Sequence, residues 1–251
     1  TITVGGFVRT NRTFGDIGFL SVNDGSCFKN IQIVYKAGDE MALQAKLGST
    51  VKATGVLKFT PENKQPFEVD TDHVELVGSV AESYPLQHEK PPCEQLRNYP
   101  QWRMKTNTFN AVFRIRSTLA YYIHEYFHSH GYYWIHTPIL TANDCEGEGQ
   151  TFNVNADSKH PEEFFNKDNV HLTVSGQLHV EPFALAYGKV YTFGPTFRAE
   201  KSNTVRHAAE FWMIEPEITW AHLSDLCDIE EDFLKYVVKN TMKDCAQDME
   251  F

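Results

Sequence analysis

The stretch FRAEKSNTVRHAAEFWMIEPE, Phe197 to Glu217, sets Arg198, Arg206 and His207 among acids and aromatic rings. A buried strand pair does not tolerate that load, because each ion taken from water costs several kcal/mol unless it is paired. A hairpin with a polar connection fits better. Arg198 and Glu200, two apart on the outgoing strand, share a face, as do Phe211 and Met213 on the return. The planar guanidinium fork of Arg198 suits a phosphate or a carboxylate. Arg206 and His207 in the connecting loop could fold over a polyphosphate tail, and Phe211 offers a ring on which a base can stack. The competing reading is a surface hairpin with cross-strand Arg and Glu pairs, each contributing about 0.2–1 kcal/mol. Spacing alone does not separate the two.

No GxxxxGK[ST] or GxGxxG run is present, so any nucleotide must be held by side chains rather than by a glycine-rich cradle. In LTVSGQLHVEPF, Leu172 to Phe183, Ser175, Gln177 and Glu181 fall on or just after an expected strand, with Gly176 allowing close backbone approach. Uncharged hydrogen-bonding groups beside a carboxylate suit a zwitterionic amino acid; polar surface is the plain alternative. DCEGEGQTF, Asp144 to Phe152, is a glycine-hinged loop carrying Glu146 and Glu148, readable as a lid or as an ordinary turn. The 11 histidines form no HExxH motif, and no metal site is expected in this chain.

The elements that must position these residues divide the chain. Residues 1–79 read as five short strands, ITVGGFVRT, GFLSV, NIQIVY, STVKATGVLKF and FEVDTDHVELV, with a helix, DEMALQAKLG, between the third and fourth. Asn23, Asp24 and Gly25 supply turn chemistry. This pattern fits a Greek-key barrel of the oligonucleotide-binding type or another small β-barrel or meander. Residues 80–104, with Pro85, Pro91, Pro92 and Pro100, mark a linker. Residues 105–251 open with a helix that repeats apolar residues from Phe109 to Phe127 and ends at Gly131. The strand YYWIH, the strands LTVSG, KVYTFGPTFRAE and EFWMIEPEITW, and the amphipathic helix SDLCDIEEDFLKYVVKNTM follow. The class is α+β.

Hydrophobic residues at 41%, charged residues at 22% and a formal net charge of −10 describe an ordinary globular protein without a strongly basic surface for non-specific nucleic-acid binding. A local basic groove remains open, and no DNA partner is expected. The five cysteines show no CxxC pair, so free thiols in a reducing compartment are expected. No apolar run approaches ~20 residues, so no membrane span is expected and the cytoplasm is the expected location. The chain starts at Thr1 rather than Met, as a trimmed chain or a fragment would.

FRAE followed by RHAAEFWMIEPE resembles the second motif of class II aminoacyl-tRNA synthetases, in the subgroup that serves aspartate, asparagine and lysine. The helix running into YYWIHTPIL is similar to the first motif, whose proline lies at a dimer interface, and Pro138 is the match. YPLQHEKPPCEQLRNYPQWRMK resembles the subgroup's linker. The resemblance spans essentially the whole chain. It implies an OB-fold anticodon-binding barrel over residues 1–79, a linker over 80–104, and part of an antiparallel-sheet catalytic domain over 105–251. Within the subgroup, SGQLHVE stands where aspartate enzymes read SPQLYKQ, so that Val180 replaces a lysine and Glu181 a glutamine. Glu181 could accept from an asparagine amide and repel aspartate.

The resemblance therefore implies an asparagine–tRNA ligase using ATP and Mg²⁺, acting as a homodimer on asparagine and tRNA(Asn). An aspartate enzyme and a non-catalytic tRNA-binding relative are the alternatives. It places Arg198 on the α-phosphate and the substrate carboxylate, and Glu200 near the adenine or the terminal adenosine of the tRNA. Arg206 and His207 would hold the outer triphosphate and Phe211 would stack on the adenine. Ser175, Gln177 and Glu146 would hold the amino acid, with Glu146 closing over its ammonium. In the barrel, Phe19 would stack on an anticodon base, Gln32 would read one, and Arg9 would contact the backbone. Residues 1–80 carry eight Lys and Arg against nine Asp and Glu, so charge does not argue independently for tRNA there. Nothing after Trp220 matches the family's third motif, so the opposing arginine and the magnesium ligands are expected beyond Phe251.

Overall fold

The computed structural model describes residues 1–63, 65–86, 92–145, 147, 150–156, 160–167, 169–202 and 204–251. Chain contacts divide it into one unit, Thr1–Ser117 with Asp244–Phe251, and a second, Thr118–Lys243.

The first unit is built on a barrel of β1 (Ile2–Phe14), β2 (Ile17–Asn23), β3 (Ile31–Lys36), β4 (Thr50–Phe59), β5 (Phe67–Asp70) and β6 (Val74–Gly78), with α1 (Glu40–Gln44) between β3 and β4. The order β1-β2-β3-β5-β4-β6, closed by pairing of β1 with β4, is that of an OB-fold barrel. Alternation directs Val8, Leu20, Val22, Ile33, Val51 and Val69 into one core. The expectation of a single last strand, FEVDTDHVELV, is corrected to two. Thr71 breaks it by donating its hydroxyl to the Thr54 and His73 carbonyls at 2.8 and 2.9 Å. Asp39 then holds the restart, accepting from the Val74 amide at 2.7 Å while capping α1 through the Met41 and Ala42 amides. The NDG segment forms a turn inside a longer connection: Asn23 accepts from the Gly25 amide at 2.7 Å and donates to the Asn30 side chain at 3.0 Å.

The proline-rich stretch folds within this unit. It contains α2 (Cys93–Leu96) and a 3₁₀ turn (Arg103–Lys105), and its Tyr84, Leu86 and Leu96 form a second small core with Trp102 and Phe109 packed against it. The division between units falls inside α3 (Asn107–Ser129).

In the second unit, β7 (Tyr133–Trp134) pairs with β10 (Lys189–Phe197), which pairs along its length with β11 (Glu210–Ile218). A two-stranded ribbon joins β8 (Leu140–Thr141) to β9 (His171–Leu172), α4 (Pro161–Phe165) lies between them in sequence, and α5 (Gln177–Tyr187) follows. The strands expected from YYWIH and LTVSG are therefore two-residue pairings. Ile123, Tyr126 and Phe127 of α3 and Val237 of α6 (Leu223–Asp244) form the core with Tyr132 and Tyr191, as the helical spacing predicts. The last element, α7 (Ala246–Glu250), belongs to the first unit, where Asp248 accepts from Arg114 Nε at 2.9 Å. No helix of the described residues is long and apolar enough to cross a membrane.

Gly18 shows how closely the barrel is packed. A Cβ there would stand 2.0 Å from the ring of Tyr35, whose buried hydroxyl donates to Asn11 at 2.8 Å. Gly18→Ala must displace that ring, and overpacking of this kind costs about 1–3 kcal/mol. Calorimetry of the variant should show a lower Tm, and an unchanged Tm would contradict the packing described.

Candidate active site

The hairpin of β10 and β11 has one apolar face and one chemical face. Tyr191, Phe193, Ile214 and Ile218 pack into the core of the second unit. The register sets Val190 opposite Glu217, Thr192 opposite Glu215, Gly194 opposite Met213 and Thr196 opposite Phe211. These positions share the other face.

Strand β10 ends at Phe197, so Arg198 and Glu200 stand in the connecting segment rather than on the strand, which corrects the sequence expectation. The Arg198 amide still donates across the hairpin to the Ala209 carbonyl at 3.1 Å, but the next amide, Ala199, donates to the Gln150 carbonyl at 2.9 Å. That switch of partner ends the ladder. It also lays the segment after the hairpin strand along the Gln150–Phe152 run, whose Phe152 carbonyl accepts from the Leu172 amide at 3.0 Å. The Arg198 guanidinium carbon lies 5.6 Å from the centroid of the Phe211 ring, so a cation and a stacking surface stand together. Glu200, Arg206 and His207 are exposed. The His207 ring is held within the loop by Thr204 Oγ1 and by Ser202 Oγ, the latter at 3.2 Å.

The second cluster is assembled where α5 begins. Because the helix starts at Gln177, Gln177 and Glu181 stand one turn apart on one helix face rather than beside a strand, and Gln177 Nε2 donates to Glu181 Oε1 at 3.0 Å. Ser175 precedes the helix. Its hydroxyl donates to Glu215 Oε1 of β11, and the Gly176 amide donates to Glu215 Oε2 at 3.1 Å. Gly176 is required by space: a Cβ there would stand 2.7 Å from Thr192 Cγ2 and 2.8 Å from Thr137 Oγ1. Burial pushes the Glu217 carboxyl above its ordinary value, and the neighbouring charges of Glu181 and Glu215 push it further. The structure thus adds Glu215 and Glu217 to the expected Ser175, Gln177 and Glu181. Their signal was the alternating EPE on a strand already read as the return of the hairpin.

Glu146 and Glu148 lie outside the described residues. Between them, Gly147 has φ +68° and its amide donates to Asp144 Oδ1 at 3.1 Å, while Cys145 Sγ lies 4.0 Å from Gln177 Oε1. Val180 is fully buried with Ala184 and Val190. Among the described residues no group of three or more His, Cys, Asp or Glu could hold a metal ion.

Elsewhere, Pro138 is exposed between β7 and β8, close in sequence to the exposed Tyr133, Trp134 and Leu140. In the barrel, Phe19 and Gln32 stand on the outer face of adjacent strands: Phe19 pairs with Val34, and Ser21 pairs with Gln32. Gln32 Nε2 donates to Glu68 Oε2 at 3.2 Å. Arg9 does not join them. It is the extra residue of a β-bulge between Val8 and Thr10, and its Nη1 donates to the Lys105 carbonyl.

A family model described as class II tRNA synthetases (D, K and N) matches residues 94–251, and one described as an OB-fold nucleic acid binding domain matches residues 2–77. The chain is 49% identical over 249 residues to an asparagine–tRNA ligase of Mycoplasma mycoides subsp. mycoides, covering 98% of this chain and 55% of the relative. It is 46% identical over 265 residues to an asparagine–tRNA ligase of Clostridium beijerinckii, covering 100% and 57%. The crystal structure of asparaginyl-tRNA synthetase from Pyrococcus horikoshii complexed with asparaginyl-adenylate superposes with a TM-score of 0.86 at 27% identity, covering 99% of this chain and 56% of that one. The chain spans about half the length of the curated relatives it matches.

The raised Glu217 carboxyl has a consequence for stability. Between its ordinary value of 4.5 and the higher folded value, the native state binds more protons than the unfolded chain, so this residue's contribution to stability falls as pH rises through that window. Glu217→Gln abolishes the titration. The Tm of the variant relative to the parent should therefore be lowest below pH 4.5 and climb as pH rises. A difference independent of pH would contradict the crowding of the three carboxylates.

Proposed function

This chain belongs to the class II tRNA synthetases of the aspartate, lysine and asparagine group, and on that premise we propose that it supplies the asparagine pocket and one side of the ATP site of an asparagine–tRNA ligase. The observation that carries the reading is the carboxylate cluster at Glu181, Glu215 and Glu217, joined to Ser175 and Gln177, on the same hairpin face as Phe211, against which Arg198 rests. A pocket already so negative attracts the ammonium of an amino acid and accepts hydrogen bonds from a side-chain amide. It opposes the second carboxylate of aspartate, since like charges brought together cost several kcal/mol. The 44–49% identity to proteins named asparagine–tRNA ligase supports the same choice.

In this reading the amino acid's carboxylate attacks the α-phosphorus of ATP in line, and pyrophosphate leaves. A ribose hydroxyl at the tRNA terminus then attacks the mixed anhydride and releases AMP. Arg198 neutralises the charge that grows on the α-phosphate and orients the carboxylate, while Phe211 carries the adenine. Arg206 and His207 hold the outer phosphates from the loop, Glu200 meets the adenine or the terminal adenosine, and Glu146 closes over the ammonium. Bound magnesium would supply further neutralisation of phosphate charge. Phe19 and Gln32 present a ring and an amide to anticodon bases of tRNA(Asn), with Arg9 as a backbone contact. Pro138, with the exposed apolar residues near it, belongs to a homodimer interface.

The test is amino-acid-dependent exchange between pyrophosphate and ATP, using the protein that contains this chain together with the remaining length its relatives have. Asparagine should drive exchange and aspartate should not, and Arg198→Ala should lower the rate on the order of 10²–10³-fold. Glu181→Gln should shift the ratio of the two amino acids toward aspartate. Val180→Lys is a poor test, because it buries an ammonium among Ala184, Val190 and Ile135. Exchange driven by aspartate, or tRNA binding with no exchange, would overturn the reading.

A further inference from the structure

The first unit holds a cavity of about 360 Å³ that shares no residue with the hairpin site. Arg9, Lys105, Tyr84, Asn30, Asn107 and Asn110 contribute its polar lining, and no Asp or Glu is found among the described residues that line it. In a chain with a formal net charge of −10, an acid-free cavity carrying two cations is a local reversal of sign.

The cations are not consumed by the fold. Arg9 Nε is buried and makes no hydrogen bond, although Nη1 of the same group is tied to the Lys105 carbonyl. The Lys105 ammonium rests 4.3 Å from the centroid of the Phe7 ring, with no carboxylate partner among the described residues. A third cation, Arg114, stands behind the wall, its Nε already paired with Asp248 at 2.9 Å. Arg114 donates from Nη1 to the Gly25 carbonyl at 3.3 Å, Gly25 lines the cavity, and Arg114 Nη2 is buried without a hydrogen bond. Arg114 is near enough for its charge to depress the Arg9 guanidinium, whose pKa is lowered chiefly by burial. Burying the unmatched Nε–H of Arg9 near a second guanidinium is costly unless an anion meets it. The apolar part of the lining, including Leu47, Leu86 and Met104, suits the carbon skeleton of such an anion.

We propose that this cavity binds a phosphate group carried on a small organic body, of about mononucleotide size. The phosphate would accept from Arg9 and Lys105. The asparagine amides would hydrogen-bond the hydroxyl or carbonyl groups of the remainder.

The test titrates the 251-residue chain carrying Arg198→Ala, which weakens phosphate binding at the hairpin, and follows backbone amides of the cavity by NMR, where hairpin binding gives no signal. One arm uses ribose 5-phosphate and uridine 5′-monophosphate; the other uses a five-nucleotide uridine RNA. Saturable shifts at Gly25, Asn107 and Asn110 are expected. Lys105→Glu should weaken them about tenfold or more, the scale set by a hydrogen bond to a charged group. Arg9→Gln should act in the same direction, and Lys105→Glu keeps the test decisive if the Arg9 variant fails to fold. Shifts with the monophosphates alone assign a free metabolite, and shifts with the RNA alone assign a backbone phosphate. No shift at these amides in either arm, or shifts that Lys105→Glu leaves unchanged, would overturn the proposal.

Discussion

The bond on which the candidate site depends is the one that Glu215 makes with the turn ahead of α5. A carboxylate placed on the inner part of a strand pair is destabilising unless its oxygens find donors. Glu215 finds the Ser175 hydroxyl on one oxygen and the Gly176 amide on the other. That pair of donors fixes where α5 starts and so places Gln177 and Glu181 one helical turn apart beside the strand. It also explains the glycine. With Thr192 and Thr137 already within 2.8 Å of the place a Cβ would occupy, any other residue would push the turn away from the carboxylate. One acidic side chain thereby organises hydrogen-bond donors contributed by a separate segment of the chain.

The hairpin serves two purposes through the period of two along its strands. Tyr191 and Phe193, with Ile214 and Ile218, anchor one face in a dense aromatic core, where Phe127 stacks on Tyr191 with ring centroids 4.5 Å apart. Burial raises the Tyr191 phenol to about 12, so it remains neutral, and its hydroxyl meets His124 Nδ1 at 2.7 Å. Rigid packing beneath lets the opposite face carry Glu215, Glu217 and Phe211 at fixed spacing. The chemistry of the loop, Arg206 and His207, is set beyond the strand ends, where both residues are exposed.

Much of this was legible in the sequence, for reasons that differ between elements. Alternation placed the barrel strands and amphipathic spacing placed α3 and α6, because each signal comes from burying one face against a core of its own. The residues FRAE and RHAAEF marked the hairpin. What failed to show was whatever depends on a distant partner. The break at Thr71 follows from bonds to Thr54, 17 residues away, and the end of β10 follows from the Gln150 carbonyl. The helix beginning at Gln177 did not show in the sequence, where LTVSG read as a strand with Gln177 and Glu181 on or just after it. The turn that starts the helix takes its anchor from Glu215, 39 residues from Gly176. Glu215 and Glu217 were in plain view, but two acids on a strand look like solvated surface until the fold shows them half-buried.

Net charge illustrates the same limit of local reading. A formal value of −10 describes the sum and conceals the sorting. Carboxylates gather at Glu181, Glu215 and Glu217, where an ammonium and an amide would be met, and cations stand at Arg198 and Arg206, where phosphates would be. Within the first unit the sorting is repeated, as Arg9 of the nearly balanced barrel and Lys105 face a cavity with no acid among the described residues that line it. Fields inside clefts are set by the few charges that line them, because low-dielectric walls screen them poorly and solvent screens the rest within about 8–10 Å. An acidic chain can therefore hold polyanions, provided its cations are few, fixed and kept apart from its acids.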